Sequence, residues 1–300
     1  MGSQNTCTIQ FGKDELERVR GILEANKWVN ASINNEYVVF RLKSPTGSVG
    51  TMYSSGKLVF QGQEDFTTIV ANLKSEDDSD KLNGFKPHIG VDEVGKGDYF
   101  GPLVVVACFV DSEFAKKINY LGFADSKKFG DRKISELFSK VEDYPYYYVS
   151  VVHPSQYNEL VKKYGNVSVL LAKQHSLVIE NGLLDLKSKG IKCNHVVLDQ
   201  FSSSKSRVSD ELGEMGKAIE VMQFHKGESD IAVAAASIIA RGVFLKEWDI
   251  MCKKYDFQFP KGASTVIDDA KMFVSTHGFD KLQEVAKIGF KTTLKVNSLF

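Results

Sequence analysis

The first features of this chain that could do chemistry are acids at the ends of apolar runs. Asp92 and Glu93 close the run His88-Ile89-Gly90-Val91, and Asp199 closes His195-Val196-Val197-Leu198. Glu228 and Asp230 stand just before Ile231-Ala232-Val233-Ala234-Ala235-Ala236-Ser237-Ile238-Ile239-Ala240-Arg241. Strand interiors do not bury charge without compensation. If these positions converge on one sheet edge, the carboxylates repel one another unless a cation sits among them. An all-oxygen ligand set favours hard ions such as Mg²⁺ or Mn²⁺. Two such ions can activate a water and stabilise the leaving oxygen in phosphodiester cleavage. Each acid also has a plain reading. Asp92 and Glu93 could be solvated acids ending a strand, and Asp230 a helix cap and dipole partner.

Gly95-Lys96-Gly97 follows the first pair of acids. Glycine lets backbone approach a ligand closely, and amides in such a turn can cradle phosphate or hydroxyl oxygens. It is not a dinucleotide fingerprint, since no helix opens directly after it, and an ordinary turn would use glycine too. Adjacent strand residues point to opposite faces. Asp92 and Glu93 therefore share a site only if the strand ends there or Glu93 is turned by a local distortion.

The elements that must position these residues read as follows. Strands are expected over 88–94, 103–110, 146–153, 195–198 and 218–224, with helices over 167–186 and 231–248. The order fits an α/β unit with a mixed sheet and helices on its faces. Ahead of it lies a smaller unit: a strand over 7–11, a helix over 13–27, strands over 36–42, 49–53 and 57–61, and a helix over 65–73. Ser54-Ser55-Gly56 is a hairpin turn within it. The polar, acidic run Lys74-Ser75-Glu76-Asp77-Asp78-Ser79-Asp80-Lys81 reads as a linker. The expected division is 1–73, a linker over 74–86, and 87–300.

Acidic and basic residues balance at 38 each in 300 residues, so no global basic field marks a nucleic-acid binder. A local patch can still bind phosphate. Cys7, Cys108, Cys193 and Cys252 form no C-x-x-C pair, which argues against zinc and against a disulfide framework. Reduced thiols in a cytoplasmic protein are expected, with Cys108 and Cys193 in the core. No leader pattern or apolar run of spanning length stands out. His153, His175, His195 and His277 lack metal-ligand spacing and are expected to be structural or superficial. Trp28 and Trp248 are expected to pack.

The sequence resembles the ribonuclease HIII family. The resemblance rests on Gly90-Val91-Asp92-Glu93-Val94-Gly95-Lys96-Gly97-Asp98-Tyr99-Phe100-Gly101-Pro102, Asp125-Ser126-Lys127-Lys128, Asp199-Gln200-Phe201, the alanine-rich stretch ending at Arg241, and Pro260-Lys261-Gly262-Ala263. It implies a ribonuclease H-like five-stranded mixed sheet flanked by helices, preceded by a small α+β TATA-binding-protein-like domain. It implies that Asp92, Glu93 and Asp199 are catalytic, metal-binding carboxylates. Glu228 would be the fourth or, because the loop before the alanine helix is one residue shorter than the family pattern, Asp230. Gly95, Lys96 and Gly97 would meet the ribose 2′-hydroxyl, the group that separates RNA from DNA, with Lys96 near a phosphate. Ser126, Lys127 and Lys261 would make further phosphate contacts. Their plain readings are a solvated turn lysine for Lys96, a helix-entry loop for Ser126 and Lys127, and a turn after Pro260 for Lys261. His225 could assist proton transfer. The small domain would dock substrate through its sheet, with Tyr53, Lys57 and Phe60 as candidates, although alternation sends about half of such residues inward.

The implied activity is endonucleolytic hydrolysis of the RNA strand of RNA–DNA hybrids by a cytoplasmic monomer. It would use Mg²⁺ or Mn²⁺ and no organic cofactor, and would leave 5′-phosphate and 3′-hydroxyl ends. One alternative is a type 2 ribonuclease H acting at single embedded ribonucleotides, against which the N-terminal unit argues. Another is a non-catalytic hybrid-binding module, against which the full set of acids argues.

Overall fold

The chain folds as two units, residues 1–83 and 84–300. The computed structural model describes residues 5–33, 35–66, 69–70, 73, 85–123, 129–199, 206–224 and 227–297, without the side chains of Glu228 and Asn297. Ser126, Lys127, His225 and nearly all of the expected linker lie outside the described residues.

In the first unit, β1 (Asn5–Gln10), β2 (Val29–Asn30), β3 (Val38–Lys43), β4 (Val49–Tyr53) and β5 (Lys57–Gly62) build one sheet, with α1 (Leu16–Ala25) between β1 and β2 in the chain. Its strands run antiparallel in the order β1-β5-β4-β3-β2. Alternation sends Phe40, Leu42, Met52, Leu58 and Phe60 to one face, where they bury Val19 and Leu23 of α1. β2 is too short for periodicity to reveal; it exists through pairing with Lys43 and Leu42. Phe60 is fully buried, its ring 5.4 Å from that of Trp28 and 5.2 Å from that of Phe66. It belongs to the core and not to a contact face, correcting the expectation. Met52 pairs with Leu58 and both point inward. Tyr53 and Lys57, one step along each strand, therefore face out. Of the helix expected over 65–73, residues 67–68 and 71–72 lie outside the described residues, while Phe66 and Leu73 join this core.

The second unit opens with β6 (His88–Val94), β7 (Leu103–Val110), α2 (Ser112–Tyr120), α3 (Asp131–Ser139) and β8 (Tyr147–Val152). Next come α4 (Pro154–Tyr164), α5 (Val167–Ser188), β9 (Val196–Asp199), α6 (Ser206–Ser209), α7 (Glu214–Lys217) and β10 (Val221–Phe224). It ends with α8 (Ile231–Tyr255), α9 (Ile267–His277), α10 (Phe279–Val285) and α11 (Lys291–Asn297). The sheet order is β10-β9-β6-β7-β8. β6, β7 and β8 are antiparallel neighbours, and β9 runs parallel to both β6 and β10. Every residue of β7 is buried, as a central strand covered on both faces requires.

Helix α5 covers one face of this sheet, with Leu170, Leu171, Val178 and Ile179 packed among Ile89, Val91 and Val105. Helix α8 covers the other. At Gly90 its backbone comes so close that an added Cβ would lie 2.0 Å from the Ala232 carbonyl carbon. Only glycine permits that approach. α8 runs one and a half turns or more past the expected end, because Met251 and Cys252 continue its buried stripe, and it stops at Asp256 in a left-handed conformation. Cys193 is partly exposed, against expectation, and Cys108 is buried. Among the described residues no helix is long and apolar enough to cross a membrane.

Candidate active site

β6 stays regular through its acids. Asp92, Glu93 and Val94 pair in unbroken register with Val106, Val105 and Val104. No distortion occurs, but β6 ends at Val94, one residue beyond Glu93, so the two side chains leave on opposite faces at the very end of the strand, close enough for the charge of Glu93 to act on the Asp92 carboxyl. Asp92 turns toward α8, where Ser237 hydrogen-bonds it, and it accepts a 2.8 Å bond from the Glu93 amide. Glu93 turns toward α5, where its Oε2 lies 3.1 Å from Nε2 of the fully buried His175.

Parallel pairing brings in the third acid. Val91 stands opposite Leu198, so the next step sets Asp92 beside Asp199 at the carboxyl ends of β6 and β9. The turn at Gly227–Ser229 packs directly on Asp199, and the Gly227 amide donates to Asp199 Oδ1 at 2.9 Å. The backbone of Glu228 is therefore next to Asp199. Asp230 lies elsewhere. It caps α8, accepting from the amides of Ala232 (2.9 Å) and Val233 (3.0 Å), and meets His88 Nε2 at 3.0 Å. Burial alone would raise its carboxyl, but the hydrogen bonds from His88 and the helix amides outweigh burial and hold it below the ordinary range. Ser237 stands seven residues along α8 from Asp230, about 10 Å at helical rise, so Asp230 serves the far end of β6.

Crowding of acids has an electrostatic consequence. Burial, then the charges of Glu93 and Asp199, push the Asp92 carboxyl up to about 7, although Ser237 and the Glu93 amide oppose the shift. A nearby cation is Arg241, one turn beyond Ser237, whose Nη2 donates to the Phe129 carbonyl at 2.8 Å. Burial lowers its pKa, and the charges of Asp131 and Asp92 resist that. Among the described residues no three acid, histidine or cysteine side chains close on a common point as a ready ion cage. The donors offered at this edge are nonetheless all oxygen, carry like charge, and disfavour ionisation of Asp92 as they stand. That chemistry fits a hard divalent cation.

The turn after β6 is stiff at one end and open at the other. Gly95 is buried at φ +89°, and a Cβ there would meet the Pro102 carbonyl oxygen at 2.1 Å. The fold itself demands glycine at that point. Lys96 and Gly97 are exposed, and Lys96 Nζ stands 3.9 Å from Glu93 Oε1. A Cβ on Gly97 would meet nothing within 4 Å. Lys261 pairs with Asp131 and lies over the rings of Phe244 and Trp248.

Three contributors to this site escaped sequence reasoning. Ser237 and Arg241 were within reach of it. With Asp230, Phe244 and Trp248 they recur at helical spacing, and that stripe follows β6 and its turn from His88 past Asp92 and Gly95 to Gly101. His175 carried no signal, because α5 is apolar on most of its circumference.

A family model described as Ribonuclease HII matches residues 89–293. Ribonuclease HIII of Protochlamydia amoebophila is 34% identical over 258 residues, which is 83% of this chain and 83% of its own. Ribonuclease HIII of Streptococcus gordonii is 33% identical over 295 residues, 94% of this chain and 96% of its own. The crystal structure of Bst-RNase HIII in complex with Mn²⁺ matches with a TM-score of 0.68 at 28% identity, covering 98% of this chain and 99% of that one. A mixed sheet with acids at its edge, a helix stripe tracking the acid-bearing strand, and similarity along nearly the whole chain agree: the chain is a nuclease of the ribonuclease HII family and belongs to its ribonuclease HIII branch.

Proposed function

We propose that this chain hydrolyses the RNA strand of RNA–DNA hybrids at internal phosphodiesters, leaving 5′-phosphate and 3′-hydroxyl ends. The observation that carries this reading is the meeting of Asp92 and Asp199 at the ends of parallel strands, with Glu93 adjacent and the Glu228 turn packed on Asp199. Asp92, Glu93, Asp199 and Glu228 would hold two divalent ions, Mg²⁺ or Mn²⁺. Glu228 takes the fourth place because Asp230 is committed to His88 and the helix cap. When bound, such ions lower the pKa of an attacking water and stabilise the departing 3′ oxygen.

The protein's own groups orient and select. Ser237 and the Glu93 amide fix the Asp92 carboxylate, and His175 fixes that of Glu93. The exposed end of the Gly95-Lys96-Gly97 turn meets the substrate ribose. Nothing in the fold requires glycine at 97, whereas a hydroxyl approached by backbone amides does. Lys96, Lys127 and Lys261 supply positive charge for phosphates, and Ser126 a hydroxyl that can donate to one. Residues 1–73 act as a TATA-binding-protein-like substrate-docking domain joined through 74–86 to the catalytic domain at 87–300, with Tyr53 and Lys57 on its open sheet face.

The test is cleavage of an end-labelled RNA–DNA hybrid by the wild-type chain and by Asp92→Asn, with Mg²⁺ and Mn²⁺ compared. Wild type cuts the RNA strand only; the variant binds hybrid and does not turn over. Near-normal turnover by the variant removes Asp92 from the mechanism, and cutting of a DNA duplex at equal rate removes the substrate assignment.

A further inference from the structure

Lys287 is fully buried, an uncommon place for a lysine. It lies between α10 and α11, far along the chain from the carboxylates. Its Nζ donates to three backbone carbonyls of one short segment: Asp98 at 3.0 Å, Phe100 at 3.2 Å and Gly101 at 2.6 Å. An ammonium has three donors, and all three are spent on this segment. The Tyr157 ring lies 5.6 Å below it.

That segment is the continuation of the Gly95-Lys96-Gly97 turn. Other bonds tie the same residues to the C-terminal part of the chain. The Gly101 amide donates to Val285 O at 2.9 Å, and the Lys287 amide donates to Tyr99 O at 2.8 Å. Tyr99 Oη shares a 3.0 Å bond with Thr293. Asp98 Oδ1 accepts from the Gly262 amide at 2.6 Å, and the Tyr99 amide donates to Gly262 O at 2.8 Å. The returning end of the turn is thus clamped while its tip, Lys96-Gly97, stays open.

We propose that Lys287 is a positioning residue for ribose recognition: its ammonium gathers the carbonyls of Asp98, Phe100 and Gly101 and so fixes the angle at which the 95–97 backbone meets the substrate. This rests on the reading that the 95–97 turn meets the ribose. A purely structural lysine would be cheaper to replace by an apolar residue, since burying an ammonium carries a heavy desolvation cost. Burial pulls its pKa down to about 7, opposed by the charge of Asp98. What an apolar side chain cannot do is hold three carbonyls on one point. Without that hold the carbonyls repel and the turn relaxes, and misplacement of about 1 Å can cost on the order of 100-fold.

The experiment compares wild type with Lys287→Met, which keeps length and loses the donors. Fluorescence anisotropy in EDTA gives Kd for a labelled RNA–DNA hybrid and for the DNA duplex of the same sequence. Wild type prefers hybrid. Lys287→Met should bind DNA as wild type does, lose about 10- to 100-fold of the preference for hybrid, and bind Mn²⁺ unchanged. A folded variant with full preference for hybrid overturns the proposal, and so does a variant whose loss extends equally to DNA binding and Mn²⁺. If wild type itself shows no preference, the proposed function fails and not merely the role of Lys287. Should Lys287→Met not fold, amide exchange in the wild-type chain decides. Protection at Tyr99, Gly101 and Lys287 comparable to that of β6 supports the clamp, and exchange at the rate of an open loop refutes it.

Discussion

Replacing Asp92 by asparagine should make the ion-free protein more stable while abolishing turnover, and the gain should depend on pH in a calculable way. The native carboxyl titrates near 7 against an ordinary value of 3.8. The native state therefore holds a proton over that interval which the unfolded chain has already lost. With more protons bound in the native state, stability falls as pH rises between these values and is level above them. The displacement corresponds to about 4 kcal/mol against the folded, ionised form at pH 8. Asparagine keeps an acceptor for the Glu93 amide, carries no charge, and can point its amide hydrogens at Asp199 or Ser237. Recovery of about 2–4 kcal/mol at pH 8 follows, shrinking toward zero below pH 4. The assay is urea unfolding in EDTA from pH 4 to pH 8.5, with fluorescence of the second unit as the signal, since two units need not unfold together. A variant less stable than wild type at pH 8, or a difference that does not change with pH, would refute the electrostatic argument.

Three further outcomes follow from the geometry. Asp230→Ala should lose the α8 cap and leave His88 without its carboxylate, costing about 1–3 kcal/mol of stability with cleavage retained, whereas Glu228→Gln should stay folded and lose cleavage. Thermal unfolding and hybrid hydrolysis separate the two, and the reverse pattern would exchange their roles. His175→Ala should release the Glu93 carboxylate and lower Mn²⁺ affinity or activity by about 10- to 100-fold, measured by ion titration of the rate. Gly95→Ala forces a side chain to φ +89° and against Pro102 O, a strain of about 1–3 kcal/mol, while Gly97→Ala should leave stability unchanged and slow hybrid cleavage. Equal stability losses at the two glycines would contradict the division of that turn into a stiff end and an open one.

Much of the fold was legible in the residues because strand-length apolar runs such as β7 and the alanine-rich start of α8 have few alternative fates. The facing of β5 was misread: Phe60 was expected as a contact candidate beside Lys57, but it alternates with Lys57 and shares the buried face with Leu58. β2 was not legible, since two residues carry no periodicity. Nor were α9, α10 and α11, whose mixed composition acquires direction only from what they cover. At the site, the acids announced themselves by ending apolar runs, and the turn by its glycines. The choice between Glu228 and Asp230 needed three dimensions, because a cap and a ligand look alike in a string of letters. His175 and Lys287 were invisible for a related reason: burial, not type, gives each its meaning here.

The most direct test of this account is Mn²⁺ binding, followed by electron paramagnetic resonance of the free ion, in wild type, Asp92→Asn, Asp199→Asn and Asp230→Asn. Wild type and Asp230→Asn should take up the ion with matching affinity, while Asp92→Asn and Asp199→Asn should each lose it. Undiminished uptake by the Asp92 and Asp199 variants would mean that the carboxylates where β6 and β9 end are not an ion site.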